Sequence, residues 1–442
     1  MTTDTLQKAL TRLDETSADR TTLEAYYSGS QPLAYLTPEA RAAIGNRFQV
    51  LTTNLCRVTV NALAERLRLV GFTGAHAAQV WADWKANDLD QMAPVAHREA
   101  LALRESFVIV WADATGAPQV TIESAAQVAV LRDAATRQVT AAVKRWKTPT
   151  GTEAMLYEAD TITRYHSDAL GTSTETGFTV REIIPNPLGV VPVVPLRNSE
   201  RLLGPGLSEL EDLAPLVDAQ NKLLSDMLVA SEYSGRPRRW ASGIELEEEP
   251  ILDADGKPLL DETGEPITKT VNPFPEANRM MISEQADSKF GQLDAADLAG
   301  YEAAVRVIQA QVSAVTCLPP HYLGVHGDQP ASADAMRASE AALVAKVEAR
   351  QQIFGKAWEQ VARLMVAIRT GADPRTVQVV AQWADPATRS IAQEADAVVK
   401  LFQAGLLPQE YALQRLGYGA DEIARITALS ITTKPNLTAI PA

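Results

Sequence analysis

The chain has 442 residues but only two cysteines, Cys56 and Cys317, too few for a thiolate metal cluster or for a disulfide-stapled secreted scaffold. Long apolar runs are missing too. Nothing approaches the roughly 18 uninterrupted apolar residues that a membrane span needs, and the N-terminus lacks a basic start followed by an apolar stretch. The expectation is a cytosolic chain with neither export nor membrane insertion. Basic charge is in deficit: 41 Lys and Arg face 55 Asp and Glu, a net charge of -14. General attraction to phosphate backbones or anionic lipid is therefore not expected, which disfavours a sequence-reading DNA binder. The phosphate-loop spacing, the dinucleotide glycine fingerprint and the paired histidines of zinc proteases are also absent, so catalysis has no recognisable carrier.

What is present is globular. Hydrophobic residues make up 46% and charged residues 22%, and the length calls for several packed units. Leu6, Leu10, Leu13, Leu23, Tyr26 and Tyr27 predict a helix over 1–28 ending at Gly29, and Leu55, Val58, Ala62, Leu63 and Leu67 predict another over 54–69. From 107 to 184 the texture changes to short β-rich runs at 107–111, 139–146, 161–165 and 178–184, with turn clusters between them. Five prolines (Pro185, Pro187, Pro192, Pro195, Pro205) then forbid helix and restrict any strand to an edge.

A leucine stripe from Leu207 to Leu228 predicts a helix that kinks or restarts at Pro215. Residues 236–285 hold 11 acidic against 6 basic side chains, with turn signals at Asp255-Gly256 and Thr263-Gly264, and predict an acidic hairpin module between two helices. The second helix is expected from Asp294 to the stop at Leu318-Pro319-Pro320. Ser332 then opens the longest pattern, with Met336, Leu343, Val347, Phe354, Trp358, Val361, Met365 and Ile368 on one face up to Gly371, about 55 Å of helix. Shorter helices, broken at 405–408 and 417–419, follow from 387, and no internal repeat is expected.

Each residue cluster with chemical potential has a plainer reading. Gly204-Pro205-Gly206 can cradle an anion but reads better as the turn that starts a helix. Asp253-Ala254-Asp255-Gly256 resembles the start of a calcium loop, yet the twelfth position is Gly264 where a glutamate belongs. His321 and His326 share a loop without a third ligand, so no metal is expected. Glu245, Glu247, Glu248 and Glu249 read as a solvated hairpin face whose position between two helices keeps a binding role open. Arg236, Arg238 and Arg239 beside Trp240 read as neutralising the acidic module around them.

The order of these parts resembles the portal protein of tailed double-stranded DNA bacteriophages. The wording does so as well. Tyr26-Tyr27-Ser28-Gly29, Asn54-Leu55-Cys56-Arg57-Val58, Glu65-Arg66-Leu67 and Gly71-Phe72 look like the family's N-terminal blocks. Leu318-Pro319-Pro320-His321-Tyr322-Leu323-Gly324 and Ser332-Ala333-Asp334-Ala335 look like its central block, and Trp383-Ala384-Asp385-Pro386 like the segment after it.

The resemblance implies an α+β portal fold: a wing over 1–205, a stem helix over 206–235, a clip over 236–285, a second stem helix over 286–317, a tunnel loop over 318–331, a long wing helix over 332–374, and the end of the wing with a helical crown over 375–442. It implies a ring, usually dodecameric, at one capsid vertex of the virion, assembled in the host cytoplasm beside the major capsid protein and scaffold. Double-stranded DNA would pass through without sequence specificity. The terminase large subunit would dock during packaging, a head-completion or adaptor protein afterwards, and the same passage would serve ejection. On this reading the protein is not an enzyme, needs no cofactor and touches no membrane. Pro319, Pro320, His321, Tyr322, Gly324, His326 and Asp328 would form the tunnel loop, which is nearly uncharged and so unsuited to gripping phosphates. Glu245, Glu247, Glu248, Glu249, Asp253 and Asp255 would form the docking face of the clip. The competing readings are another capsid component, such as a minor head protein, or a cytosolic enzyme of unrecognised chemistry.

Overall fold

A computed structural model describes residues 2–35, 53–202, 204, 206–235, 239–242, 248–252, 256–260, 264–270, 287, 289–292, 298–324, 332–387 and 391–432. Along the chain run α1 (Thr2–Glu15), α2 (Ser17–Ser28), α3 (Leu55–Ala64), β1 (Leu69–Thr73), α4 (Ala77–Ala86), α5 (Leu89–Leu103), β2 (Glu105–Ala112), β3 (Pro118–Ser124), β4 (Val128–Arg132), β5 (Val139–Thr148), β6 (Gly151–Tyr157), β7 (Thr161–Ser167), β8 (Thr179–Pro185) and β9 (Val193–Arg197). There follow α6 (Ala214–Gly235), β10 (Arg239–Ser242), β11 (Glu248–Pro250), β12 (Thr268–Thr270), β13 (Lys289–Gln292), α7 (Ala299–Thr316), α8 (Ala333–Ser339), α9 (Ala341–Thr370), β14 (Val380–Trp383), α10 (Ile391–Gln403), α11 (Gln409–Arg415) and α12 (Ala420–Thr432). Two compact units result, one of residues 1–21, 58–209 and 317–442, the other of residues 22–57 and 210–316.

The core of the first unit is an antiparallel sheet in the order β4-β5-β6-β7-β8. Because side chains alternate across a strand, β5 sends Ala141 and Val143 to one face and Ala142 to the other. Leu6, Leu10 and Leu13, one stripe of α1, close the first face over Ala129, Ala154 and Leu156. Phe107 and Ile109 of β2 and Val193 of β9 close the second over Val128, Tyr157 and Ile162. Each fully buried leucine contributes about 1.5–3 kcal/mol relative to exposure. The β2 strand is itself the centre of a β3-β2-β9 sheet, with Pro195 on the edge strand where a missing N–H is tolerated. The proline-rich segment thus includes a strand.

Three expectations change here. The helix expected over 54–69 ends at Ala64, and Leu69–Thr73 forms β1 instead, because its partner β14 is supplied from residues 380–383. No element was assigned between 72 and 106, yet α4 and α5 stand there, the latter with Pro94 inside it. The single long helix from Ser332 is two helices that break at Glu340, and α9 alone is about 45 Å long. Ser332 does cap the first, its hydroxyl accepting from the Ala335 N–H at 3.1 Å. Along α9, Leu343, Val347, Phe354, Trp358, Val361 and Met365 are fully buried. Trp358 lies 4.9 Å from Trp84 between ring centres and donates its indole N–H to His97 Nε2 at 2.8 Å. Burial lowers that imidazole to about 3, so His97 is a neutral core acceptor.

In the second unit α6 packs on α7. The leucine stripe from 207 becomes helix only at Ala214, with Pro215 in the first turn where its missing N–H costs nothing. The buried face of α6 is partly polar: Asn221 Oδ1 accepts both the N–H and the hydroxyl of Thr53 at 3.1 Å, and Tyr26 donates to Asp218 at 2.7 Å. Buried Cys56 is pushed up to about 12 by desolvation and then by Asp218, which makes its thiol inert at neutral pH. Between the helices, β10 pairs with β13 and β11 with β12.

Candidate functional site

The central block lies in the first unit. Pro319 is extended, Pro320–Leu323 forms one 3-10 turn, and Gly324 ends it at φ 75°, a left-handed conformation suited to glycine. Leu318 and Leu323 are buried, and the His321 and Tyr322 rings lie 4.9 Å apart. His326 and Asp328 lie outside the described residues, so the loop is characterised only at its root.

That root is fastened by one arginine. Arg66 Nη2 donates to the Tyr322 hydroxyl at 2.7 Å and to Glu340 Oε1 at 3.0 Å, while its Nη1 donates to the Pro386 carbonyl at 3.1 Å. Tyr322 also donates to Glu340 Oε1 at 3.3 Å. Three stretches that look alike only as separate words, around Glu65-Arg66-Leu67, Pro319 to Gly324 and Trp383 to Pro386, therefore meet at a single guanidinium. Glu340 stands at the break between α8 and α9, so the same ion pair sets where the long helix begins. Sequence reading placed Arg66 within a block and missed its role, and it missed Glu340 altogether, because no local spacing links partners 256 and 274 residues away.

A second ion cluster joins α9 to the end of the 58–209 stretch of the first unit. Arg350, fully buried in α9, donates to Glu209 Oε1 at 3.1 Å through Nε and 2.8 Å through Nη2, and to Glu200 at 2.5 Å. Lys346 adds a contact to Glu209 at 2.7 Å. Burial pushes the Glu209 carboxyl up, but Lys346 and Arg350 outweigh it and hold the group below its usual range. This is a fastening without a nucleophile or base poised for chemistry. Among the described residues no group of acidic, His or Cys side chains has the arrangement of a metal site.

Of the expected docking residues, Glu249 is exposed on β11, opposite Lys269, and Glu248 is its neighbour in the strand. Glu245, Glu247, Asp253 and Asp255 lie outside the described residues. The described part of the module shows something the acidic count hid. Ile251 donates to the Ile267 carbonyl, Leu259 to that of Ile251 and Ile267 to that of Leu259, each at 2.8 Å, with bridges Leu252–Pro258 and Leu260–Pro266. Gly256 and Gly264 adopt φ 78° and 87° in the two turns. The sequence behind this is an eight-residue repeat, Ile251-Leu-Asp-Ala-Asp-Gly-Lys-Pro258 followed by Leu259-Leu-Asp-Glu-Thr-Gly-Glu-Pro266, contrary to the expectation of none. It leaves Ile251, Leu252, Leu259, Leu260 and Ile267 all exposed.

The second helix of this unit is as bare. Only Val312 and Thr316 of α7 are buried, and Val307 is 63% exposed. Ala299, Ala303, Val307 and Ala310 line an open groove of about 520 Å³ along it, with Glu302 and Arg306. Among the described residues, no helix is long and apolar enough to cross a membrane.

Comparison with known proteins gives these elements a family. The chain is 31% identical over 443 aligned residues to the portal protein of Mycobacterium phage L5, covering 94% of this chain and 86% of that protein. It is 33% identical over 384 residues to the portal protein of Mycobacterium phage D29, covering 83% and 76%. A chain of the virion of a native gene transfer agent particle aligns at a TM-score of 0.48 with 13% identity, over 90% of this chain and 93% of that one. A chain of the neck of that particle, computed with C12 symmetry, aligns at 0.46 with 13% identity, over 91% and 98%. Residues 38–432 match the family model described as phage portal protein, SPP1 Gp6-like, and by that match and its two phage relatives this chain belongs to the phage portal protein family.

Proposed function

We propose that the chain acts as a structural ring, usually of twelve copies in this family, that conducts double-stranded DNA at one vertex of the phage head. The observation that carries this reading is the surface left uncovered in the second unit. An 18-residue helix with two buried residues, and a β module presenting five large apolar side chains to solvent, are stable only marginally by themselves. Identical copies in a head-to-tail ring bury such surfaces on one another. The net charge of -14 suits a passage for a polyanion, since a basic lining would hold DNA through counterion release.

Within that reading the first unit is the wing, α6 and α7 are the stem, and the β module is the clip. The clip docks the terminase large subunit during packaging and the head-completion protein afterwards. Pro319 to Gly324, fixed by Arg66, form the root of the tunnel loop, while the wing meets the major capsid protein and scaffold. No catalytic step is assigned to the chain. Negative-stain microscopy of the purified protein tests this. Closed rings with a central channel are expected, and a population of compact single subunits at micromolar concentration would contradict it.

A further inference from the structure

Five arginines of the first unit line one cavity of about 270 Å³: Arg12 from α1, Arg20 from α2, Arg104 at the end of α5, Arg132 from β4 and Arg197 from β9. Glu105 is the one carboxylate in the lining. Elsewhere in this unit buried or half-buried arginines meet acids, as Arg145 does Asp14, Arg66 does Glu340 and Arg350 does Glu209. Among the described residues, the ion pairs of the cavity's arginines are Arg12 with Glu15 at 3.4 Å and Arg104 with Asp19 at 3.0 Å.

Arg20, Arg132 and Arg197 make their hydrogen bonds to neutral oxygens. Arg20 donates to the Leu13 carbonyl at 2.6 Å and to the Thr16 hydroxyl, Arg132 to the Arg137 carbonyl at 3.2 Å, and Arg197 to the Gly204 carbonyl. Arg20 is 8% exposed, and its Nε is buried with no hydrogen-bond partner among the described residues. Burial lowers Arg20 and Arg132 from their usual range, with Arg197 lowering Arg132 further and Glu105 opposing both shifts. Arg20 is the buried one of the three, and a buried guanidinium whose hydrogen bonds all go to neutral oxygens is a costly arrangement that an incoming anion relieves.

The wall is specially built. Arg104 holds φ 77°, a strained conformation for a side chain with a Cβ. A Cβ on Gly206 would meet the Arg104 carbonyl oxygen at 2.6 Å and that of Asn198 at 3.0 Å, so only glycine allows these backbones to approach. Gly204-Pro205-Gly206, expected as a helix-start turn, precedes a helix that begins only at Ala214, and its two glycines line this cavity instead.

We infer that this cavity is a binding site for a phosphate group, held by the forks of Arg20, Arg132 and Arg197. Guanidinium forks pair with two oxygens at a time, which excludes a halide, and three arginines around one anion can use the three or four oxygens of a phosphate group where a single carboxylate offers two. The space admits a phosphate group and several waters, at about 30 Å³ per water, and is too small for a duplex. The phosphate comes either free in solution or from a DNA backbone or end presented at the rim.

Calorimetric titration of the full chain with sodium pyrophosphate at constant ionic strength tests the site. Saturable binding of one pyrophosphate per subunit is expected. Arg132→Gln and Arg197→Gln should each weaken it at least tenfold, and Glu105→Gln should tighten it severalfold, with circular dichroism unchanged. In the unsubstituted chain, pyrophosphate should shield Arg132 and Arg197 from phenylglyoxal. A short blunt duplex that competes with pyrophosphate identifies DNA as the source, and one that does not identifies free phosphate. Absence of saturable binding, equal affinity in the arginine variants, equal phenylglyoxal modification with and without pyrophosphate, or displacement by a polyglutamate peptide that binds more tightly would each overturn the assignment.

Discussion

The two units bury their apolar residues very differently. In the first, strands β4 to β7 are covered on both faces, and α9 sinks a continuous stripe from Leu343 to Met365 among aromatic partners. In the second, α7 buries two residues, and the β module turns its isoleucines and leucines outward. Both draw on the same residue types, so hydrophobic content alone does not distinguish a core from an interface. The distinction lies in whether a partner surface exists within the same subunit. A unit that completes its own core should respond to substitution by losing stability, and one that does not should respond by losing assembly.

The largest effect is expected at Trp358, which is fully buried against Trp84 and His97. Trp358→Ala should cost about 3–5 kcal/mol in denaturant unfolding of the first unit's transition. A cost below about 1 kcal/mol would mean that α9 is not the core helix it resembles. Next is Arg66→Met, which strands Glu340 and the Tyr322 hydroxyl at the root of the loop. About 1–3 kcal/mol should be lost, and amide exchange should quicken around residues 318–324. Exchange rates there matching those of the parent chain would remove Arg66 as the fastener.

A pH effect belongs to the first unit as well. Folded His97 is held near 3 by burial against 6.5 when exposed, so the unfolded chain binds the extra proton between those values. Stability should therefore fall as pH drops through that window, by up to about 1.4 kcal/mol per pH unit from this group. His97→Phe should flatten that part of the profile. An identical slope in the variant would assign it to other groups. The smallest stability effect is expected on β11 of the proposed clip: Glu248→Lys with Glu249→Lys should leave unfolding within about 0.5 kcal/mol of the parent while weakening the proposed terminase docking in a pull-down. Undiminished docking would take β11 out of that interface.

Much of this division was legible in the sequence, and the illegible parts share a cause. The Leu6-Leu10-Leu13 stripe, the Ser332 cap, the hairpin turns at Gly256 and Gly264 and the breaks at Gly371 and Gly405 are local patterns, and each appears in the structure. What failed was set by distant partners. The helical spacing read up to Leu69 stops at Ala64 because residues 69–73 pair with 380–383, and Glu340 interrupts a helical pattern where it meets Arg66. The arginine cavity gathers residues from α1 to β9 and no spacing announces it. The eight-residue repeat is a different case: it was present in the letters and obscured by a count of charges that ignored the apolar pairs between them.

The central claim, that the second unit's bare surface is an assembly surface, is tested most directly by the light-scattering mass of the full chain beside its Val307→Asp variant. Val307 is exposed, so the substitution removes no packing within the subunit and should leave its circular dichroism unchanged. The account predicts a ring-sized particle for the parent and one subunit's mass for the variant at the same concentration. Equal masses for the two proteins, whether both single or both assembled, would contradict it.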